Sequence, residues 1–92
     1  MPINRWNVNL KPGGHYWVNR ASRLADGTIK GYSIACTYVK LEPADDYSRA
    51  YGRSVILAPG HISLKEARAL LVDPDEAIVV PIDDVSSNRL FA

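Results

Sequence analysis

The feature of this sequence that most constrains its fold is an Asp-Gly pair, Asp26-Gly27, between two runs typical of β-strands. The run that follows, residues 28–42, is long and rich in β-branched and aromatic residues, which favour strands. An Asp-Gly pair in this setting is the strongest short-range hairpin signal, because both residues tolerate the positive φ angles of a type I′ turn. The sequence therefore predicts a β-hairpin whose strands cover about residues 15–24 and 28–42.

A second hairpin is predicted ahead of the first. Residues 5–10, RWNVNL, alternate between apolar and polar side chains, as a half-buried strand does. The turn sequence KPGG then joins this run to the strand that begins at His15. The N-terminal part of the chain is therefore predicted to form a three-stranded antiparallel meander.

The two predicted turns agree on which side chains share a face of the sheet. A two-residue loop at Asp26-Gly27 pairs Trp17 with Cys36, and a four-residue loop at KPGG pairs Val8 with Trp17. One face then collects apolar side chains, namely Trp6, Val8, Leu10, Trp17, Tyr32, Ile34, Cys36 and Tyr38. The other collects mostly polar ones, namely Arg5, Asn7, Asn9, Tyr16, Arg20, Ser22, Ser33 and Thr37. A β-bulge would exchange the two faces beyond it.

A helix is predicted to cover the apolar face. Ser63 and Glu66 form an S-x-x-E capping box ahead of leucines at helical spacing, which favours a helix over about residues 64–72. An apolar sheet face needs such a cover. Residues 43–52 fit either a loop or a short helix.

Two further strands are predicted from short apolar runs, SVILAP at residues 54–59 and AIVVPI at residues 77–82. The second belongs at a sheet edge or end, because Pro81 cannot donate a ladder hydrogen bond. Residues 83–92 are predicted to be a polar C-terminal tail. The expected fold class is α+β: residues 1–92 form a single domain, with an antiparallel sheet of about five strands and one main helix packed on its apolar face.

Composition and cysteine content narrow the class of protein. The chain has 92 residues, of which 47% are hydrophobic and 23% charged, as expected for one globular domain and not for a disordered chain. Cys36 is the single cysteine, so no internal disulfide is possible. The first ten residues lack the apolar stretch of a secretory signal, and no run is long enough for a membrane helix. A cytoplasmic protein without membrane contact is therefore expected.

The net charge of +1 conceals an asymmetry between the two parts of the chain. Residues 1–40 hold six cations against one acid, and residues 41–92 hold five cations against nine acids. The two parts therefore carry +5 and −4. Such asymmetry hints at charged partners, although the two parts could also complement each other in the folded molecule.

Two surfaces are candidate binding sites. The polar sheet face holds Arg5, Asn7, Asn9, Tyr16 and Arg20, and it could bind a phosphate group or an acidic protein patch. The alternative for this face is plain solvation, which is common in antiparallel sheets. The second candidate is a set of acidic residues that could meet a basic cleft on a macromolecule: Asp45, Asp46, Asp73, Asp75, Glu76, Asp83 and Asp84.

No catalytic, cofactor or metal site is predicted. His15 and His61 could act as an acid/base pair, but no spacing motif brings them together, so both are interpreted as ordinary rim histidines. The acids lack the spacing of an EF-hand, and Gly13-Gly14 lacks the spacing of a phosphate-binding loop. Cys36 is interpreted as a buried structural residue.

The function expected from the sequence is that of a small non-enzymatic interaction protein. It would dock, as a monomer or homodimer, on a protein or nucleoprotein complex through its charge-segregated surfaces. By type, and not by sequence, this matches small phage inhibitors of host nucleic-acid machinery such as anti-CRISPR proteins. The alternatives are a nucleic-acid-binding domain that uses the Arg5/Tyr16/Arg20 face, a His-dependent hydrolase or nuclease, and a subunit of a larger assembly.

Overall fold

Five antiparallel strands form one sheet in the computed structural model, which describes residues 2–91. The strands are β1 (His15–Arg23), β2 (Ile29–Leu41), β3 (Ser54–Pro59), β4 (Ile78–Pro81) and β5 (Val85–Ser86). Their order across the sheet is β4-β3-β2-β1-β5. The helices are α1 (Asp46–Tyr51), between β2 and β3, and α2 (Leu64–Leu70), between β3 and β4. The predicted α+β class, with one main helix, is confirmed.

The sheet is strongly curled. Strands β4 and β5 lie at its opposite edges, yet only a short 3-10 turn, Ile82–Asp84, joins them. In a flat sheet the two edges would lie about 19 Å apart, whereas a link of this length reaches at most about 14 Å. The sheet must therefore bend until its edges approach each other.

The main core lies on the concave face of this curl. Its buried members are Leu10, Tyr16, Val18, Cys36, Tyr38, Val55, Leu57, Val80 and Val85. A smaller cluster lies on the convex face, where Ala67 of α2 packs against Val39 and Ala58. The prediction that α2 covers the face of Cys36 is therefore wrong, since the helix packs on the opposite face.

The predicted register of the first hairpin is wrong by one residue. Strand β1 pairs Tyr16 with Cys36, and Trp17 pairs with Ala35. The reason lies in the turn, a three-residue loop that Leu24 and Thr28 close by a backbone hydrogen bond of 2.8 Å. Such loops end in a left-handed residue, usually glycine, and Gly27 has a φ of 88°.

This shift exchanges the faces of β1 relative to the prediction. Tyr16 and Val18 enter the core, whereas Trp17 lies on the convex face. A β-bulge between Tyr38 and Lys40 makes a further exchange in β2. As a result, Leu41, and not Lys40, packs against the main core.

The strand predicted over residues 5–10 is not formed. Residues 2–10 fold back on themselves instead, with an isolated bridge between Ile3 and Asn9 and a turn at Asn7, whose φ is 61°. Leu10 is fully buried in the main core. Trp6, predicted for the apolar face, is mostly exposed.

A buried asparagine, Asn4, determines the path of this N-terminal segment. Its side-chain oxygen accepts hydrogen bonds from the backbone N–H groups of Trp6 (3.0 Å) and Val8 (3.1 Å). Its amide nitrogen donates to the carbonyl oxygens of Ile82 (3.1 Å) and Val85 (2.8 Å). One side chain therefore shapes the N-terminal turn and attaches it to β5.

Both helices begin at capping residues. The Ser63 hydroxyl accepts from the Glu66 N–H (3.1 Å), as the capping motif predicts, and α2 ends two residues before the predicted limit. The Asp45 carboxylate caps α1 by accepting from Ser48 N–H (2.8 Å). Residues 43–52 therefore include a short helix, the second of the two alternatives. Within residues 2–91, no helix has the length and apolar character needed to span a membrane.

The edges of the sheet are short. The N–H of Ile82 donates to the carbonyl oxygen of Arg53 (2.9 Å). Since alternate residues of an antiparallel strand bond to the neighbouring strand, the backbone nitrogen of Pro81 points away from β3, where no N–H donor is needed. The predicted edge position of Pro81 is confirmed. The segment predicted as a polar tail, residues 83–92, supplies the other edge strand, β5, and then packs Phe91 over Gly31. Its last residue, Ala92, lies outside the described residues.

Candidate functional site

The polar sheet face predicted from the sequence is not assembled, because its central tyrosine, Tyr16, is buried. Tyr16 belongs to the main core. Its hydroxyl donates to the Asn9 carbonyl oxygen (2.8 Å) and accepts from the Lys11 N–H (2.9 Å). Tyr16 therefore anchors the N-terminal segment and offers no open ring to a ligand.

The two arginines predicted to face each other are in different settings. The Arg20 guanidinium forms an ion pair with Asp84 at 2.7 Å. The Arg5 guanidinium lies over the Trp6 ring, 5.0 Å from its centroid, and the Arg5 N–H donates to the Asp83 carboxylate (2.9 Å). Cations of the basic part of the chain thus meet acids of the acidic part, and Arg5 does not lie across a strand pair from Arg20.

The two asparagines of the polar sheet face, Asn7 and Asn9, do not lie on the sheet. Asn7 forms a turn, and Asn9 has an exposed side chain beside the bridge to Ile3. The asparagine that organises this region is Asn4, which the sequence reasoning missed. Its signal was its place at the start of an Asn-rich stretch, since asparagine side chains commonly bond nearby backbone groups.

Three of the seven predicted acidic residues have local structural roles, Asp83 and Asp84 contact the N-terminal part of the chain, and Asp75 and Glu76 are exposed. Asp45 caps α1, and Asp46 pairs with Arg49 at 3.2 Å. Asp73 caps a 3-10 turn by accepting from the Asp75 N–H (3.0 Å). Among residues 2–91 no group of three or more His, Cys, Asp or Glu side chains could hold a metal ion.

The structure brings His15 and His61 together, although no spacing motif predicted this contact. Their rings stack with centroids 4.7 Å apart and 3° between their planes. His15 Nε2 contacts the carbonyl oxygen of Ile62 (2.9 Å), and His61 Nε2 contacts that of Tyr16 (3.0 Å). Because a carbonyl oxygen only accepts, both Nε2 atoms carry a proton. The pair therefore joins the start of β1 to the loop that precedes α2.

Trp17 and Arg89 extend this histidine pair along the convex face. The Trp17 ring meets the His61 ring edge-on at 4.9 Å. On the Trp17 ring lies the Arg89 guanidinium, 5.3 Å from the centroid. Trp17 was predicted to be core, and the one-residue shift in register places it here instead.

The thiol of Cys36 is buried and unreactive. It lies fully buried in the main core, as predicted. Burial raises the pKa of Cys36 to about 12, because the thiolate would lose its hydration. At neutral pH the side chain is therefore a neutral thiol, which is neither a nucleophile nor a strong metal ligand.

The most exposed regular element is the outer part of the β1–β2 hairpin, residues 20–32, which we call the arm. Every residue from 21 to 30 is exposed, although β1 and β2 stay paired to the end. The side chains of Arg23 and Lys30 have no ion-pair or hydrogen-bond partner within residues 2–91. Ile29 is 63% exposed and Tyr32 is 55% exposed. The arm is the candidate functional site.

Comparison with known proteins adds no relative. A scan against protein-family models finds no match, and searches of curated proteins and of solved structures find no similar chain.

Proposed function

We propose that this protein is a small non-enzymatic interaction protein that docks on a protein or nucleoprotein complex through its arm. The observation that carries the proposal is the run of ten consecutive exposed residues, 21–30, in a regularly paired hairpin. A two-stranded ribbon without a packed face is only marginally stable in water. Because the arm adds so little to the core, we attribute its presence to contact with the surface of a partner.

The side chains of the arm support this role. Leu24, Ile29 and Tyr32 leave large apolar surfaces in water, which docking on a partner would bury. Arg23 and Lys30 provide charges that are free to pair with a partner. Docking of this kind would also serve the occlusion of host nucleic-acid machinery by a phage-type inhibitor.

Site-specific photo-crosslinking tests the proposal. A photoreactive amino acid replaces Ile29 on the arm and, in a matched control, Val72, which is 84% exposed and follows α2. In cells that express the protein, the probe at Ile29 is expected to form one defined crosslinked product with a single macromolecule. The probe at Val72 is expected to form none. The proposal is wrong if the arm yields no crosslink, or if both positions yield the same background.

A shortened arm provides the second control. Deleting Ser22, Arg23, Ile29 and Lys30 removes two cross-strand pairs and leaves the alternation of side chains in β1 and β2 unchanged. This variant is expected to fold, since all four residues are exposed, and to lose capture of the crosslinked partner. Retained capture by the shortened chain would contradict docking through the arm.

A further inference from the structure

The charge of the arm is distinct from that of the rest of the surface. Residues 20–32 hold Arg20, Arg23 and Lys30 against one acid, Asp26. The Asp26 carboxylate accepts hydrogen bonds from the N–H and hydroxyl of Thr28, so it is held against its own loop. These bonds lower the pKa of Asp26 and keep it ionised. Since Arg20 is paired with Asp84, the charges of the arm without an ion-pair partner in the described part of the chain are the cations Arg23 and Lys30 and the anion Asp26, a net charge of +1.

Asp45 and Asp46 lie far from the tip of the arm, whose loop holds a single acid, Asp26. Strand β2 has 13 residues and therefore runs for about 40 Å, which is close to the longest dimension of the molecule, 42 Å. Asp45 and Asp46 follow the end of β2 opposite the arm. Arg23 and Lys30 therefore attract an anionic partner to the arm end of the molecule.

The free cations lie on opposite faces of the ribbon. Ser22 pairs with Lys30 and Arg23 pairs with Ile29, and neighbouring residues of a strand point to opposite faces. Arg23 therefore shares the face of Trp17, and Lys30 lies on the other face. A ribbon that enters a groove tip-first presents one cation to each wall.

We infer that the arm enters the major groove of duplex DNA, where Arg23 and Lys30 contact phosphates on the two sides. The inference rests on the proposed docking function and names the component of a nucleoprotein complex that the arm contacts. The major groove is about 12 Å wide and admits a two-stranded ribbon. Its two walls carry phosphate charge, which matches cations on both faces of the arm.

Fluorescence anisotropy of a labelled 20-base-pair DNA duplex tests this inference. Two phosphate contacts predict that the association constant falls about 12-fold between 25 and 100 mM salt. The double variant Arg23→Ala/Lys30→Ala is expected to bind at least ~10-fold more weakly at low salt and to show less than about a 2-fold salt response. The matched control is Lys40→Ala/Arg68→Ala, which removes two exposed cations beside α2 and should bind as the unmodified protein does.

Three outcomes would overturn the inference: no duplex binding at 25 mM salt, equal losses in both double variants, or equal binding to a single strand of the same sequence. These outcomes are distinct from failure of the proposed function. A protein crosslinked from Ile29 without any duplex binding would retain docking through the arm and reject DNA as the partner. Thermal unfolding of each variant at the same midpoint establishes that the losses are not due to unfolding.

Discussion

The base and the arm of the β1–β2 hairpin belong to the same two strands and share one register. They differ in that other parts of the chain cover the base, whereas the arm is exposed to solvent. At the base, Val18 and Cys36 are fully buried in the main core. In the arm, Arg23 and Ile29 form an equally regular cross-strand pair in water. Backbone pairing therefore does not by itself determine which part of a hairpin supports the fold. Burial of side chains between elements does.

The covering elements come from distant parts of the chain. Leu10 closes the core over the hairpin base, and Asn4 ties the N-terminal segment to Val85. Over the outer hairpin, Phe91 packs against Gly31, and residues 21–30 beyond it are exposed. We therefore expect the base to respond to substitution as a core does, and the arm to respond as a surface does.

The largest expected contrast concerns thiol reactivity. In the folded protein Cys36 should react with iodoacetamide at least ~1,000-fold more slowly than a free thiol, because exposure requires unfolding. A thiol moved to the arm, Ala21→Cys in a Cys36→Ala background, should react at the free-thiol rate. Alkylation rates at about pH 8 measure both. Rates within tenfold of each other would show that the base is no better protected than the arm.

A pair of leucine substitutions compares the two regions energetically. Leu57→Ala is expected to lower the free energy of unfolding by about 3 kcal/mol, since Leu57 is fully buried in the core that the hairpin base completes. Leu24→Ala, at the end of the arm, is expected to change it by less than about 0.5 kcal/mol. Urea unfolding followed by tryptophan fluorescence measures both values. A comparable loss at Leu24 would contradict the distinction.

An asparagine pair tests the cover of the hairpin base. Asn4→Ala should cost about 2–3 kcal/mol, because it leaves backbone groups of Trp6, Val8, Ile82 and Val85 without their partner. Asn9→Ala in the same segment removes an exposed side chain and should cost less than about 0.5 kcal/mol. Chemical unfolding of both variants provides the comparison, and equal costs would refute the role of Asn4.

Alkaline pH should weaken the protein through the buried thiol. The pKa of Cys36 is about 12 in the folded state and 9.0 in its ordinary setting. As pH rises above 9.0, the unfolded state therefore loses its proton first, binds fewer protons than the folded state, and becomes favoured. Between about pH 8 and pH 10.5 this contributes a loss of about 2 kcal/mol. The variant with its thiol on the arm should lack this contribution in urea unfolding at both pH values.

The smallest effect is expected at the turn of the arm. Gly27 has a φ of 88° and open space around it, so Gly27→Ala is strained by its backbone and not by contacts. The cost of about 1 kcal/mol should speed amide hydrogen exchange in the arm about fivefold and leave the exchange of core amides unchanged. Gly27→Asn should have a smaller effect, because asparagine tolerates the left-handed region. Equal acceleration in the core would mean that the arm and the base open together.

Local signals in the sequence predicted the elements with short-range causes. Ser63 begins α2 by its cap, Pro81 lies at a sheet edge, and residues 54–59 form β3. The predicted fold class follows from these elements and is confirmed. The candidate site could not be predicted in the same way, because it depends on exposure. Arg20 belongs to both the predicted face and the arm, whereas Arg23 and Lys30 were not singled out.

The predicted faces of β1 were wrong because the length of one turn was wrong. A two-residue and a three-residue loop at Gly27 differ by one residue, and one residue moves every side chain of a strand to the other face. The agreement between the two predicted hairpins did not guard against this error, since the strand predicted over residues 5–10 does not exist.

The sequence by itself determined the strands β1 to β4, the cap at Ser63 and the place of the turn at Asp26-Gly27, because those depend on residues within a few positions of one another. Tertiary structure alone decided which face of the sheet is core and how far along the hairpin the core extends. These outcomes depend on contacts such as those of Asn4 with Ile82 and Val85, residues 78 and 81 positions away. Such contacts form only when the curled sheet brings both ends of the chain together, and no local pattern encodes that approach.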